Sequence, residues 1–323
     1  MFSSQNFLGL QPKSSNQNLA FGTAIHAGLE SYYKGKGLNQ GIKDFTVSLY
    51  DSNLDDDVLY DLEYLGKGML ANYDRYASED RSEIIKVEYS FSLPIQVTDE
   101  NYLSHRTSAE FDIDHNGTLL FKDKPVHYDG TIDLLIKNPD GEYWIVDHKT
   151  AKTIYDDKFF LNTNDQITAY IWAMRKLGYP VKGFIYQELL KKIPEPIKPL
   201  KRKYKGRKYS VNIQNPVILA DYITTLLNSG EDLELYKDFL QYLRLNPNPF
   251  FKRSHIERSE AELLMFENLV FFEAIDMLSP STVMYPSPDY FGCDFCSFQD
   301  PCLAMNKNED WEYILDNAFE PRK

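Results

Sequence analysis

The chain has 323 residues, 43% of them hydrophobic, and a formal charge of -13 at pH 7. That length suits one large domain or two small ones, and no apolar run approaches the roughly 20 residues of a membrane span. The acidic balance argues against a protein that coats nucleic acid non-specifically, although a local basic patch could still hold phosphates. All three cysteines fall late in the chain, which speaks against a disulfide framework and for a reducing cytoplasm. The opening Met1-Phe2-Ser3-Ser4-Gln5-Asn6 lacks the charged-then-apolar pattern of a signal sequence.

In chain order, Ala20 to Tyr33 reads as a helix, because Ile25, Leu29 and Tyr32 or Tyr33 recur near the helical repeat, and Gly35 and Gly37 punctuate its end. Asp55 to Tyr76 reads as a second helix. Leu59, Leu62, Leu65, Met69, Tyr73 and Tyr76 form one stripe, and three aspartates stand at its dipole-favoured start. Strands are expected at Ile84–Ile95, Thr118–Lys122, His127–Lys137, Glu142–Lys149 and Lys182–Leu190. Asn162 or Thr163 can cap a helix that runs to Leu177 with Gly178 beyond it. A Pro- and Lys-rich stretch, Ile193 to Lys208, interrupts the fold. Helices then fill Pro216–Asn228, Leu233–Arg244 and Ser259–Leu278, and Pro280 to Pro288 leads into the cysteine segment.

The hairpin carries the most chemistry. Side chains alternate along a strand, so Asp147 and Lys149 share a face and His148 points the other way. Asn138-Pro139-Asp140-Gly141 suits a type I turn followed by a left-handed Gly bulge. That loop pairs Asn138 with Glu142, setting Asp133 opposite Asp147 and Thr131 opposite Lys149. Ile132, Leu134, Ile136, Trp144 and Val146 then form the core face. Two carboxylates facing each other repel unless a cation lies between them, and oxygen donors favour Mg²⁺ or Mn²⁺. The bland alternative is a pair of solvated charges on an ordinary hairpin. On the following helix, Gln166 and Tyr170 lie four apart on one face that can look back at the lysine. Taken alone, that pair would be a polar helix surface, and His26 would be a packed or capping residue. Glu88, on Val87-Glu88-Tyr89-Ser90-Phe91, is a further candidate to face the metal, but it reads first as an exposed strand charge.

As a set, Asp133, Asp147-His148-Lys149, Gln166 and Tyr170, preceded by Phe21-Gly22-Thr23-Ala24-Ile25-His26-Ala27-Gly28-Leu29-Glu30, resemble the PD-(D/E)XK nuclease superfamily. The nearest branch is the RecB-type exonucleases with their phage and CRISPR-associated relatives. The resemblance implies an α/β fold, a mixed central β-sheet flanked by helices (restriction-endonuclease-like), with a C-terminal helical and cysteine-containing segment. It implies a metal held by His26, Asp133, Asp147 and the backbone carbonyl of His148. It also implies catalytic roles for Asp133, Asp147, Lys149, Gln166 and Tyr170 in hydrolysing DNA phosphodiesters, on single strands or ends. The alternative is a catalytically inactive DNA-binding subunit of a larger recombination, repair or defence complex. Protein partners in a recombination, repair or CRISPR-type complex, and a bacterial or phage-encoded cytoplasmic setting, follow from the same resemblance.

Cys293, Cys296 and Cys302 are clustered thiols, which in a reducing compartment usually bind metal. The resemblance implies a 4Fe-4S cluster with a fourth cysteine ahead of the His26 helix. No cysteine precedes His26, so the fourth ligand is not identified. The chain starts downstream of it, another residue replaces it, or the cluster is lost, leaving Zn²⁺ or no metal. Lys198 to Lys208 is basic, and Lys201, Arg202, Lys203, Lys205, Arg207 and Lys208 interleave with Tyr204 and Tyr209. Such a pattern suits a nucleic-acid strand through phosphate neutralisation and base stacking, or else is a solvated loop. The expected division is a nuclease core at 1–190, a basic loop and helical region at 191–278, and a cysteine segment with a C-terminal helix at 279–323.

Overall fold

The computed structural model describes residues 10–13, 16–97, 111–154, 159–279, 293 and 296–321. A short strand, β1 (Leu10–Pro12), precedes helix α1 (Gln17–Ser31), whose first amides are capped by the Asn16 side chain. A single π turn over Tyr32–Lys36 joins α1 to α2 (Gly37–Tyr50), and α3 (Asp56–Ala77) follows. The glycines expected to end the first helix instead form a corner, with φ near 78° at both Gly35 and Gly37, from which α2 starts anew. Next come β2 (Glu83–Pro94), the small strands β3 (Asp112–Ile113), β4 (Leu119–Phe121) and β5 (Lys124–Pro125), then β6 (His127–Lys137) and β7 (Tyr143–Ala151). Helix α4 (Asp165–Lys176) and β8 (Val181–Leu190) complete the expected core. Asn164, rather than Asn162 or Thr163, caps α4, its carboxamide oxygen accepting from the Ile167 amide at 3.1 Å.

The main sheet has five strands in the order β2-β6-β7-β8-β9. Only β7 and β8 run parallel, joined by α4 as the crossover. Strand β9 (Phe251–Glu257) is a departure from the sequence reading, which had no strand there. It comes from within the 191–278 stretch, and α7 (Glu260–Leu278) follows it behind a Ser259–Glu262 capping box. Between β8 and β9 lie α5 (Leu219–Asn228), a 3₁₀ turn over Leu233–Tyr236 and α6 (Lys237–Leu245). Helices α8 (Gln299–Asn306) and α9 (Trp311–Ala318) end in β10 (Phe319–Pro321), which pairs with β1 and ties the two ends of the chain together.

Both faces of the sheet are covered, so its central strands read as apolar runs. On one face Ile132, Leu135, Ile145 and Phe184 pack against α4 and α7 through Ile167, Trp172, Phe266 and Phe271. On the other, Leu134, Ile136, Trp144, Val146 and Ile185 form a smaller cluster beneath Tyr33. Ile132, expected with that second set, belongs to the first. The α1–α3 layer has its own core around Phe21, Phe45 and Tyr73, continuous with Leu189, Phe250 and Phe251. α1 and α2 approach closely at Gly28 and Gly41, where a Cβ on Gly41 would lie 2.7 Å from the Gly28 carbonyl oxygen. No helix among the described residues is long and apolar enough to cross a membrane. Pro280 to Pro288 lies outside the described residues.

Candidate active site

The hairpin turn forms as its residues dictate. Gly141 takes φ 86°, its amide donates to the Asn138 carbonyl at 2.9 Å, and the Asn138 amide donates to the Glu142 carbonyl at 2.9 Å. Backbone pairing then runs from Lys137–Tyr143 to Leu134–Val146 and stops. The register is the expected one, but it does not continue as a ladder to Asp133–Asp147 or Thr131–Lys149. The strands part there, and side chains take over the bonding. Asp133 Oδ2 accepts the His148 backbone amide at 2.8 Å and lies 3.2 Å from His26 Nδ1, delivered by α1. Lys149 Nζ stands 3.0 Å from Asp147 Oδ1 and 2.7 Å from Oδ2.

Burial and mutual charge give these groups unlike titration behaviour. Asp147 is 2% exposed, and its burial together with the Asp133 charge pushes its carboxyl up to about 6. Burial also presses on Asp133, but the hydrogen bond and charge of His26, with the His148 amide, outweigh it and hold that carboxyl below the usual range. His26 is the reciprocal case: burial opposes its protonated form, and Asp133 and Asp147 more than compensate, so its pKa is raised. Burial likewise opposes the Lys149 ammonium, and Asp147 overcomes it, keeping the amine charged.

The His148 side chain points away from Asp147 and Lys149, as alternation requires, and its ring lies 6.4 Å from that of His26. It is buried, and burial drives its pKa down to about 3, so the ring is neutral. Tyr33, from the π turn, stacks on it at 5.7 Å with rings 10° from parallel, and Tyr73 meets it edge-on at 5.9 Å. The Tyr33 and Tyr73 hydroxyls share a hydrogen bond. Gln187 Nε2 donates to Tyr73 at 3.2 Å, Arg253 Nε donates to Gln187 at 3.0 Å, and Arg253 pairs with Asp80 at 2.6 Å. This buried polar chain behind the His148 ring links α3, β8 and β9 to the site.

Gln166 and Tyr170 are brought to the same end of the sheet. Gln166 Nε2 donates to the Tyr170 hydroxyl at 3.2 Å. Burial, then the charges of Asp147 and Asp133, raise the Tyr170 phenol despite that bond. Tyr186 stands opposite Asp147 on β8, and its phenol is raised by burial with the Asp147 charge against the opposing Lys149.

Glu88, which the sequence reads first as an exposed strand charge and only second as facing the metal, joins the site. It is half-buried, and its donor oxygen, one on Asp133 and a His26 nitrogen all lie within 4.8 Å of one another. Burial and the Asp133 charge push its carboxyl up to about 7. Alternation within β2 put Glu88 on a polar face with Lys86 and Ser90, and no local signal announced that Asp133 is its neighbour across the sheet. Glu88, Asp133 and the His26 imidazole converge closely enough to hold a divalent ion such as Mg²⁺ or Mn²⁺, and Asp147 lies near enough to feel the Asp133 charge.

The basic stretch is a packed excursion rather than a break. The Leu200 amide donates to the Lys208 carbonyl at 2.7 Å, and Tyr204 and Arg207 bridge across a turn with φ 48° at Lys205 and 80° at Gly206. Tyr209 roots this hairpin in a separate core with Tyr222, Tyr236 and Leu240. Lys201, Arg202, Lys203 and Lys205 are exposed, with Arg207 and Lys208 half-exposed. Lys205 and Arg207 lie 5.7 and 5.9 Å from the ring of Tyr204, itself exposed. Cys293, Cys296 and Cys302 are free thiols, Cys296 exposed and the others half-buried. Among the described residues they do not join any group of three converging metal donors.

A mixed sheet in which β6 and β7 part beside two buried aspartates and a lysine defines a restriction-endonuclease-like nuclease core. The chain belongs to the PD-(D/E)XK nuclease superfamily, whose family model matches residues 2–303. That membership implies DNA as the substrate class, and nucleases of this superfamily use divalent metals such as Mg²⁺ or Mn²⁺. No curated protein matches the chain. Among solved structures, that of SSO0001 aligns over 87% of this chain and 84% of its own, at 12% identity and a TM-score of 0.33.

Proposed function

We propose that this protein is a divalent-metal-dependent deoxyribonuclease of the RecB-type branch, acting as an exonuclease on single strands or DNA ends. The observation that carries this reading is the convergence of His26, Asp133, Asp147 and Lys149 where β6 and β7 part, beside the Gln166–Tyr170 pair. Asp133, Asp147, His26 and the His148 carbonyl would hold the ion, with His148 itself fixed by the Tyr33 stack. When bound, a divalent ion supplies Lewis acidity that acidifies an attacking water and offsets charge on the phosphate. Lys149, kept as an ammonium by Asp147, orients that water and donates to a non-bridging phosphate oxygen. Gln166 positions the Tyr170 hydroxyl, which approaches the DNA backbone.

Lys201, Arg202, Lys203, Lys205, Arg207 and Lys208, with Tyr204 exposed at the tip, suit the grip of a single strand. Replacing Lys201, Lys203, Lys205 and Arg207 by Gln should weaken DNA binding and lower its salt slope by about one for each phosphate no longer neutralised. Fluorescence anisotropy across a salt series reads this, and an unchanged slope removes the hairpin from the interface.

The deciding experiment is cleavage of end-labelled single- and double-stranded DNA with Mg²⁺ or Mn²⁺, with and without EDTA. Stepwise shortening that EDTA stops supports the reading. Internal cuts overturn the exonuclease assignment, and tight DNA binding without cleavage identifies an inactive nuclease-fold subunit.

A further inference from the structure

We propose that Glu88 is a ligand of the divalent ion, a third carboxylate that holds it together with His26 and Asp133 on the β2 side of the centre. The inference rests on the metal-dependent reading of this same site and adds to it a residue from a strand outside the hairpin. Geometry carries it. Val87 pairs with Leu134 and Tyr89 with Ile132, so Glu88 falls opposite Asp133 across the β2–β6 ladder. Both strands change faces at that level. Val87 and Leu134 pack in the cluster beneath Tyr33, whereas Tyr89 and Ile132 pack in the core under α4 and α7. The crease is made at Glu88, whose φ of 46° is a left-handed conformation inside a strand, at a residue that gains nothing locally from it. Its consequence is a carboxylate that converges with Asp133 and His26 instead of pointing to solvent.

Charge makes the same demand. The charged or titratable groups facing Glu88 are Asp133, His26, Glu30 and Lys34, and Lys34 is paired with Glu30 one turn earlier on its helix. Asp133 is in turn shared between His26 and the His148 amide. Around the centre three carboxyl groups, Glu88, Asp133 and Asp147, stand against the Lys149 ammonium and the His26 imidazole, an acidic excess that a divalent ion offsets. Carboxylate and carbonyl oxygens are also the hard donors that a near-octahedral Mg²⁺ or Mn²⁺ takes, and Mn²⁺ accepts an imidazole beside them.

The test is Mn²⁺ titration by calorimetry of wild type, Glu88→Gln and Glu88→Asn, with melting of each metal-free protein and DNA cleavage measured in parallel. The Asn variant removes the charge while tolerating left-handed backbone, so it stays folded if Gln does not. Expected is a loss of Mn²⁺ affinity of about tenfold or more in both variants, with metal-free melting no lower than wild type. Unchanged Mn²⁺ affinity in a folded variant overturns the role of Glu88. A wild type that binds Mn²⁺ through Glu88 but cleaves no DNA sinks the nuclease reading alone. Wild-type cleavage with normally binding Glu88 variants sinks this inference alone.

Discussion

Two stretches of this chain look like metal sites when read linearly, and the fold treats them differently. The hairpin region gathers donors from α1, β2 and β6 within 4.8 Å of one another, with the Asp147–Lys149 pair of β7 beside them. The Cys293–Cys302 segment joins no group of three converging donors among the described residues, and Cys296 faces solvent. The difference lies in what holds each stretch. Hairpin residues sit on central strands with cores on both faces, where a change of position costs packed volume. The cysteines lie around the start of α8, an eight-residue helix whose described buried residues are Pro301 and Ala304. Spacing in sequence proposes ligands, and only a rigid scaffold makes them converge.

The largest effect should come from the hairpin. Lys149→Ala and Asp133→Ala are each expected to lower metal-dependent cleavage by about a thousandfold or more while circular dichroism melting stays cooperative. Undiminished turnover in either variant would remove the hairpin from the chemistry and erase the contrast.

A middle-sized effect should appear in pH dependence. Glu88 and Asp147 have carboxyls raised to about 7 and about 6 in the metal-free fold. A carboxyl raised by folding costs no stability below about pH 4, where both states are protonated, and its full cost is present once both states are ionised. The share of stability owed to these two groups therefore falls as pH rises through that window, and a divalent ion relieves it. Mn²⁺ should accordingly raise Tm more at about pH 8 than at about pH 5, in a buffer that does not bind the metal. Equal shifts at the two pH values would mean that the carboxylates do not meet the ion.

The smallest effect belongs to the cysteines. Cys296→Ser should change stability by no more than about 0.5 kcal/mol and leave Mn²⁺-dependent cleavage intact, as for an exposed thiol with no structural partner role. Iron and sulfide in anaerobically purified protein, lost together with cooperative melting in Cys296→Ser, would reverse the comparison.

Much of the site was legible residue by residue. The Asn138–Gly141 turn chemistry announced the register that the hairpin adopts, and period-two alternation put Asp147 and Lys149 on one face with His148 turned inward. The Gln166–Tyr170 spacing held because helix geometry is local. What local rules left open was the neighbour of each strand. Glu88 read as an exposed charge until the β2–β6 pairing set it against Asp133, and Ile132 read with Leu134 until the crease turned it to the other face. β9 escaped notice because Phe251–Glu257 mixes apolar and basic residues without clean alternation, and its place at the sheet edge depends on β8.

The sequence by itself determined the elements whose physics is short-range: the capped helices, the hairpin with its turn, and the carboxylate–lysine face that asks for a cation. Tertiary structure alone decided that β6 and β7 part at Asp133, that α1 brings His26 to 3.2 Å from it, and that β2 creases to add Glu88. These outcomes join segments far apart along the chain, where loop closure opposes contact and only the packing of two cores against one sheet offsets it.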